Sequence, residues 1–347
     1  MDEVPSEAKT EAKVITVTLN PSLDRTLVTH FLAVGYHNRT TGPTRLDPAG
    51  RGVSVSRALY ALGVPTHAII LLGRDATGRS YQSLLAEEQF PITILRREGT
   101  TRSNIDIKDT GHNHETIVLE ESTGVEQAHL EMVADMIQQL VAPGDRVVFA
   151  GSVPEGVRTD VYAWLTTVAQ TAGARVAINA GGGESLLQSL RANPRMIYLT
   201  QTQLEGLFNF PVRTHEDVIY CAQQLHDQGA VQVLVAMQKV NDIVLLTAEG
   251  TWMVDLPEID PGTHGGTAEA LIAGFLSARM AGQSYEEALS FGAAAATFTG
   301  AQVGNAFGTA KDLEQYTSQI EVLSADVLAD LMAAQQEAHP DEAPDDL

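Results

Sequence analysis

From residue 126 onward the sequence keeps one beat. An amphipathic stretch over 126–141 leads to the apolar run RVVFAG, a second over 158–173 to RVAIN, and a third over 184–192 to MIYLT. Strand-sized and helix-sized segments alternating at this spacing are the mark of a parallel sheet with helices on both faces. VQVLVAM at 231–237, DIVLLT at 242–247 and TWMVDL at 251–256 add three strands without helices between them, so the sheet is expected to finish in an antiparallel edge.

The amino-terminal part follows the rhythm less strictly. VITVTLN at 14–20 reads as a buried strand ending in an Asn-Pro turn, and Asp24 follows at once, where open α/β sheets place their ligands. THAIILLG at 66–73 is a second buried strand and GRSYQSLLAEEQF a helix. The runs at 92–97, 103–109 and 115–120 are strands without intervening helices, and 26–47 alternates weakly. Together they predict a small β-sheet standing off the main one, a lid or a dimer surface. DPAGRGVSVSRALYALG is a Gly-rich entry into an amphipathic helix. Its N–H groups and Arg51 suit an anion, and the same residues suit a tight helix start. Helices are also expected from about 267, over 285–301 and over 310–335. Residues 1–13 and 336–347 are polar and are expected to be disordered, leaving one domain over 14–335 without a linker or an internal repeat.

Charge narrows the range of partners. Forty-four acidic against 22 basic side chains give a formal charge of −22, which repels nucleic acid and anionic membrane, so an anionic substrate needs a local basic pocket. The single Cys221 excludes an intramolecular disulfide framework, and no His/Cys spacing suits structural zinc. Cys221 falls in a helical pattern and is expected to pack as a small hydrophobe. The apolar runs are too short to span a bilayer and the amino terminus lacks a secretory h-region, so a cytoplasmic location is expected.

Residues 260–276, DPGTHGGTAEALIAGFL, bring glycines and a proline into a small-residue helix. Several N–H groups converge at such a helix N-terminus and can seat an anion. Glu269 lies in that first turn. It either favours the helix dipole at the close of an αβ connection, or removes a proton beside a phosphate.

With these residues placed, the chain from about 14 to 320 resembles the phosphofructokinase-B, or ribokinase-like, carbohydrate kinase family, nearest its 1-phosphofructokinase and tagatose-6-phosphate kinase branch. TLNPSLDRT at 18–26 is similar to that branch's opening strand-turn, which implies that Asp24 binds sugar hydroxyls. LDPAGRGVSVSRAL looks like the signature LDPGGKGxNVSRAL, placing Gly50 and Arg51 at the sugar or its phosphate and Ser54 where the signature has Asn. TTRSN at 100–104 resembles TRTN, which implies Arg102 on the substrate phosphate with Asn104 assisting, and AGSVPEGV at 150–157 resembles SGSLPPG. Asn179 falls where Asp is common.

The resemblance implies a ribokinase-like three-layer sandwich: a mostly parallel central sheet with helices on both faces, plus a small β-sheet lid. It also implies MgATP as donor, a phosphorylated sugar as acceptor, and a homodimer through the lid sheets. The family's Gly-Ala-Gly-Asp turn falls on Gly266, Thr267, Ala268 and Glu269, which makes the first three the anion hole and Glu269 the base, one methylene longer than Asp. Its Asn-x-x-Glu falls on Thr200 and Gln203, both neutral. Its Ser-x-Gly-x-x-Gly turn falls on MQKVND at 237–242, where Lys239 would meet a nucleotide phosphate. The departures gather on the ATP side. Three readings stand at this point: a sugar-phosphate kinase of the 1-phosphofructokinase type, a non-catalytic sugar-phosphate sensor or partner of an active kinase, and a fold kept for an interaction surface.

Overall fold

A computed structural model describes residues 12–121, 124–181, 183–237, 242–257, 265–302 and 306–324. The chain gathers into two compact units, Met1–Ala192 and Asn193–Leu347.

The first unit runs β1 (Val14–Thr18), β2 (Ser22–Thr29), β3 (Arg45–Ala49), α1 (Arg51–Ala61), β4 (Thr66–Gly73), α2 (Ala76–Leu85), β5 (Ile92–Arg97), β6 (Arg102–Asp109), β7 (His114–Leu119), α3 (Gln127–Leu140), β8 (Arg146–Gly151), α4 (Val161–Thr171), β9 (Arg175–Ala180) and α5 (Gly183–Leu190). Its main sheet is parallel, in the order β5-β4-β1-β8-β9. All five residues of central β1 are buried, as a strand covered on both faces requires. Helix α1 packs on β1 and β4, α3 on β4 and β5, and α4 on β9.

A second sheet has the order β3-β2-β6-β7, with β2 and β6 parallel and the outer pairs antiparallel. Partners in register share a face, so Asp24 and its partners Asp47 and Asn104 lie on one side together with Arg102 and Asp106. Leu23 points the other way, into a core cluster with Val53, Ile70, Leu72, Tyr81 and Phe90. That cluster anchors the small sheet to α1, β4 and α2.

Three expectations change here. Residues 92–97 belong to the main sheet, where β5 pairs in parallel with β4 across α2, so the small sheet draws only on 102–109 and 114–119 from that region. Within 26–47 no strand covers 30–44, and β2 begins at Ser22, so Asp24 sits inside a strand. Lys13, placed with the disordered terminus, is tied to Asp145 by its backbone N–H at 3.0 Å and by its ammonium at 2.8 Å. The remaining residues of that terminus and of the tail, 1–11 and 336–347, lie outside the described residues.

The second unit runs β10 (Met196–Thr200), α6 (Gln201–Phe208), α7 (His215–Asp227), β11 (Gln232–Met237), β12 (Asp242–Thr247), β13 (Gly250–Asp255), α8 (Thr267–Met280), α9 (Tyr285–Ala301), α10 (Ala310–Thr317) and β14 (Val322–Ser324). β10 and β11 are parallel, and β12, β13 and β14 follow antiparallel, giving the expected edge. Of the helix expected over 310–335, α10 covers Ala310–Thr317, residues 322–324 pair instead with the edge that β13 offers, and 325–335 lie outside the described residues. Cys221 is buried in α7. Helices α8 and α9 meet through glycines: a Cβ on Gly274 would stand 2.9 Å from the Gly292 Cα, and one on Gly292 would stand 2.9 Å from the Leu271 carbonyl oxygen. Among the described residues no helix is long and apolar enough to cross a membrane.

Candidate active site

The candidate residues fall into two groups, one within each unit. In the first unit the group forms where β1 ends and the small sheet begins. Helix α1 starts against the end of β1 so closely that a Cβ on Gly52 would lie 2.4 Å from the Thr18 hydroxyl oxygen. Gly50 caps the helix without a side-chain acceptor, and no acidic residue stands in the first turn. That turn, with Arg51 as its first residue, gathers N–H groups and a guanidinium of the kind that can seat an anion. The Tyr81 hydroxyl donates to the Ala49 carbonyl at 3.0 Å and steadies the approach to this turn. Ser54 is buried one turn on, its N–H bonded to the Gly50 carbonyl at 3.0 Å.

Across the sheet, Asp24 accepts hydrogen bonds from Ser22 Oγ at 2.7 Å and Asn104 Nδ2 at 2.8 Å. Arg102 donates to Asn104 Oδ1 at 3.1 Å and reaches the Asn20 carbonyl at 3.3 Å. Asp24, Arg102 and Asn104 are thus one bonded set. Burial raises the Asp24 carboxyl above its ordinary value, against the two hydrogen bonds and the Arg102 charge, which lower it. Arg102 is lowered, by burial first and by the Arg51 charge as well, with Asp24 opposing. Two cations are held near one another, a standing demand for an anion. Arg51 also donates to Asn179 Oδ1 at 3.3 Å.

Asn20 and Ser152 join this group without having been singled out as binding residues. Asn20 Nδ2 donates to Ser152 Oγ at 2.9 Å, while Asn20 Oδ1 is buried and meets no partner among the described residues. Their signal was positional, since each follows the carboxyl end of a parallel strand. The loop leading into Arg102 and β6 is latched from behind. Asp75, the N-cap of α2, accepts from the Thr101 N–H at 3.0 Å, and the buried Arg97 guanidinium donates to the Glu98 and Thr100 carbonyls at 3.0 and 2.7 Å.

In the second unit, α8 begins at Gly266, whose φ of +83° is the left-handed conformation a Cβ disfavours. Among the described residues no side chain caps the helix, and first-turn N–H groups such as those of Thr267 and Ala268 are the kind that can seat an anion. Ala268 is within the helix, so the one left-handed residue of the turn is already glycine. Glu269 is buried, 7% exposed, in the same turn. Thr200 and Gln203 cap α6 reciprocally: the Thr200 N–H donates to Gln203 Oε1 at 2.9 Å and the Gln203 N–H to Thr200 Oγ1 at 3.3 Å. Asp242, on the far side of the MQKVND turn, is held by the His215 imidazole. Lys239 and residues 258–264 lie outside the described residues.

Three comparisons bear on this arrangement. The profile of the pfkB family carbohydrate kinases matches residues 18–311. The chain is 28% identical over 309 residues to 1-phosphofructokinase of Bacillus subtilis (strain 168), covering 89% of this chain and 99% of that protein. It is 27% identical over 310 residues to D-tagatose-1-phosphate kinase of Bacillus licheniformis, with the same coverage of 89% and 99%. In fold it is similar to phosphofructokinase-2 of Escherichia coli solved in complex with fructose-6-phosphate, with a TM-score of 0.80 at 24% identity over 89% of this chain and 99% of that one. A match along most of its length establishes that the chain belongs to the pfkB family of carbohydrate kinases.

Proposed function

We propose that this chain is a sugar-phosphate kinase of the 1-phosphofructokinase type, transferring a phosphoryl group from ATP to a hydroxyl of a ketose phosphate. The observation that carries the reading is the bonded set Asp24–Asn104–Arg102 beside Arg51 and the uncapped start of α1. Carboxylate and amide suit sugar hydroxyls, and the paired guanidiniums with open N–H groups suit a phosphate dianion. In this reading Asp24, Gly50, Ser54 and Asn104 orient the sugar, and Arg51 and Arg102 hold its phosphate. Glu269 takes the proton of the attacking hydroxyl, while the N–H groups of the Gly266–Ala268 turn stabilise the charge on the transferring group.

ATP, when bound, supplies the phosphoryl group, and the open N-terminus of α8 fits such an anion. Thr200 and Gln203 are neutral and bonded to each other, so they suit a nucleotide's polar edge and do not suit a magnesium ion, which takes carboxylates and phosphate oxygens. The proposal further takes 14–335 as one kinase domain working in the cytoplasm, with the small sheet as its cover over the sugar. Exposed apolar side chains at Ile117, Val118 and Leu119 on the edge strand β7 support pairing of two copies through that sheet.

A coupled ADP-release assay with fructose 1-phosphate tests the reading. Glu269→Gln should lower kcat by about a hundredfold or more, the usual worth of a positioned base, with the KM for sugar phosphate little changed. Unchanged turnover in that variant would refute Glu269 as base. One observation favours a second, non-catalytic reading: Glu269 is a methylene longer than Asp, a reach difference of about 1.5 Å, on a site where about 1 Å can cost a hundredfold. That reading expects stabilisation by fructose 1-phosphate and no ADP release from the wild-type protein.

A further inference from the structure

Asp106 lies on β6 two residues beyond Asn104, in register with Thr26 of β2, and so on the face that carries Asp24, Asn104 and Arg102. One two-residue repeat of a strand is about 7 Å, within reach of the hydroxyls of a sugar held at Asn104. Asp106 Oδ1 is buried and has no hydrogen-bond partner among the described residues. A buried carboxylate oxygen without a donor is costly, and a sugar hydroxyl reaching Oδ1 would supply that donor.

The charged groups on this face are otherwise engaged. Glu115 of β7 lies beside Asp106, and burial, followed by Glu115, pushes the Asp106 carboxyl up to about 6. Lys108 of β6 pairs with Glu115 at 3.7 Å. From β3, Arg45 pairs with Asp47 at 2.7 Å. From β2, Asp24 is held by Ser22 and Asn104, and Arg102 of β6 is bonded to Asn104 and Asn20. A second acid beside Asp106 also repels phosphate, which leaves the phosphate end of a substrate with Arg51 and Arg102 and turns its hydroxyl end along β6.

We propose that Asp106 is a specificity residue of the acceptor site, its carboxylate accepting a hydrogen bond from a sugar hydroxyl on the part of the molecule away from the phosphate. The assignment rests on the sugar-phosphate reading given above. It makes the site selective for ketose phosphates long enough to present a hydroxyl beyond Asn104.

The test is steady-state kinetics and calorimetric binding with fructose 1-phosphate on the wild type, Asp106→Ala, Asp106→Asn and Glu115→Gln. Asp106→Ala should raise the sugar-phosphate KM and Kd about tenfold, and Asp106→Asn, which keeps one acceptor oxygen, by less. kcat and the KM for ATP should stay within experimental scatter, and the unliganded melting temperature of Asp106→Ala should hold or rise, since a buried oxygen without a donor is removed. The ratio of the Asp106→Asn KM to the wild-type KM should grow as pH rises from 5 to 7.5, because the wild-type carboxyl ionises over that window while the substrate's own phosphate titration cancels in the ratio. Glu115→Gln removes a neighbouring acid and should move that rise to lower pH. An unchanged sugar KM in Asp106→Ala, or parallel loss of ATP affinity and melting temperature in both Asp106 variants, overturns the assignment while leaving the kinase reading in place. A wild-type protein that neither binds nor phosphorylates fructose 1-phosphate or fructose 6-phosphate overturns both.

Discussion

Arg102 meets its neighbours through two sides of one planar guanidinium, Asn104 on one and the Asn20 carbonyl on the other. A lysine keeps the charge and loses that fork. Arg102→Lys is therefore expected to raise the KM for sugar phosphate about tenfold to a hundredfold, the loss of a charge-assisted hydrogen bond or two, while leaving the KM for ATP near its original value; calorimetry with fructose 1-phosphate gives the same comparison without turnover. His215 makes a prediction in pH. Its hydrogen bond to Asp242 holds the imidazole above the ordinary value of 6.5, so the stability it contributes is full below 6.5 and is lost as pH rises through the higher folded value. The melting temperature of the wild type should exceed that of His215→Gln at pH 5.5 by an amount worth at most about 1 kcal/mol, and the gap should narrow above neutrality. Equal gaps at both pH values would show that the pair contributes no charge. Among single residues, Asp24, Arg51 and Arg102, which the proposal assigns to the sugar phosphate, stood out as candidates because each is marked by its own segment, in Gly-, Pro- and Thr-marked turns or strands. Asn20 was harder to see, since its importance arises from three segments meeting at one side chain and one carbonyl.

At the scale of elements, the α8–α9 contact is set by the absence of side chains. Gly274→Val would drive a branched side chain into the Gly292 Cα at 2.9 Å and the Phe291 carbonyl at 3.0 Å, both backbone and unable to swing away. The expected cost is about 1–3 kcal/mol in urea unfolding, with a displaced first turn of α8 and a lowered kcat in whatever protein folds; wild-type stability in this variant would mean that the helices can separate freely. Asp75 links two elements, and Asp75→Ala should cost about 1 kcal/mol as a lost cap and raise the sugar-phosphate KM through the loosened Thr101. Elements with strong local signals were legible in the chain: β4 carries the apolar run 68–72 closed by Gly73, and α9 opens on Ser284 with Glu287 completing the capping box. Strand partners were not legible. β5 and β6 carry similar alternation over 92–109, yet β5 pairs with β4 and β6 with β2. β14 has three residues, too few for any periodicity, and exists because β13 offers an edge.

For the whole molecule, the small sheet presents an edge strand whose six residues are all exposed, three of them consecutive large apolar side chains. Monomeric proteins seldom leave such an edge open. Sedimentation velocity at micromolar concentration should therefore report a dimer, and Val118→Glu should shift it to monomer without changing the circular dichroism. A monomeric wild type would remove pairing through this sheet. Acidity over the rest of the surface, −22 in total, confines anion binding to the few places where backbone N–H groups and arginines converge.

The proposed phosphate site, the start of α1 with Arg51 as its first residue and Arg102 within electrostatic range, has nothing that discriminates finely among small oxyanions. Sulfate and inorganic phosphate fit the same N–H groups and guanidiniums, so they should act as competitors of the sugar substrate. Buffer choice then becomes part of the enzymology: a KM taken in phosphate or with magnesium sulfate should read high by the factor 1 + [anion]/Ki. The same anions should raise the melting temperature of the ligand-free protein.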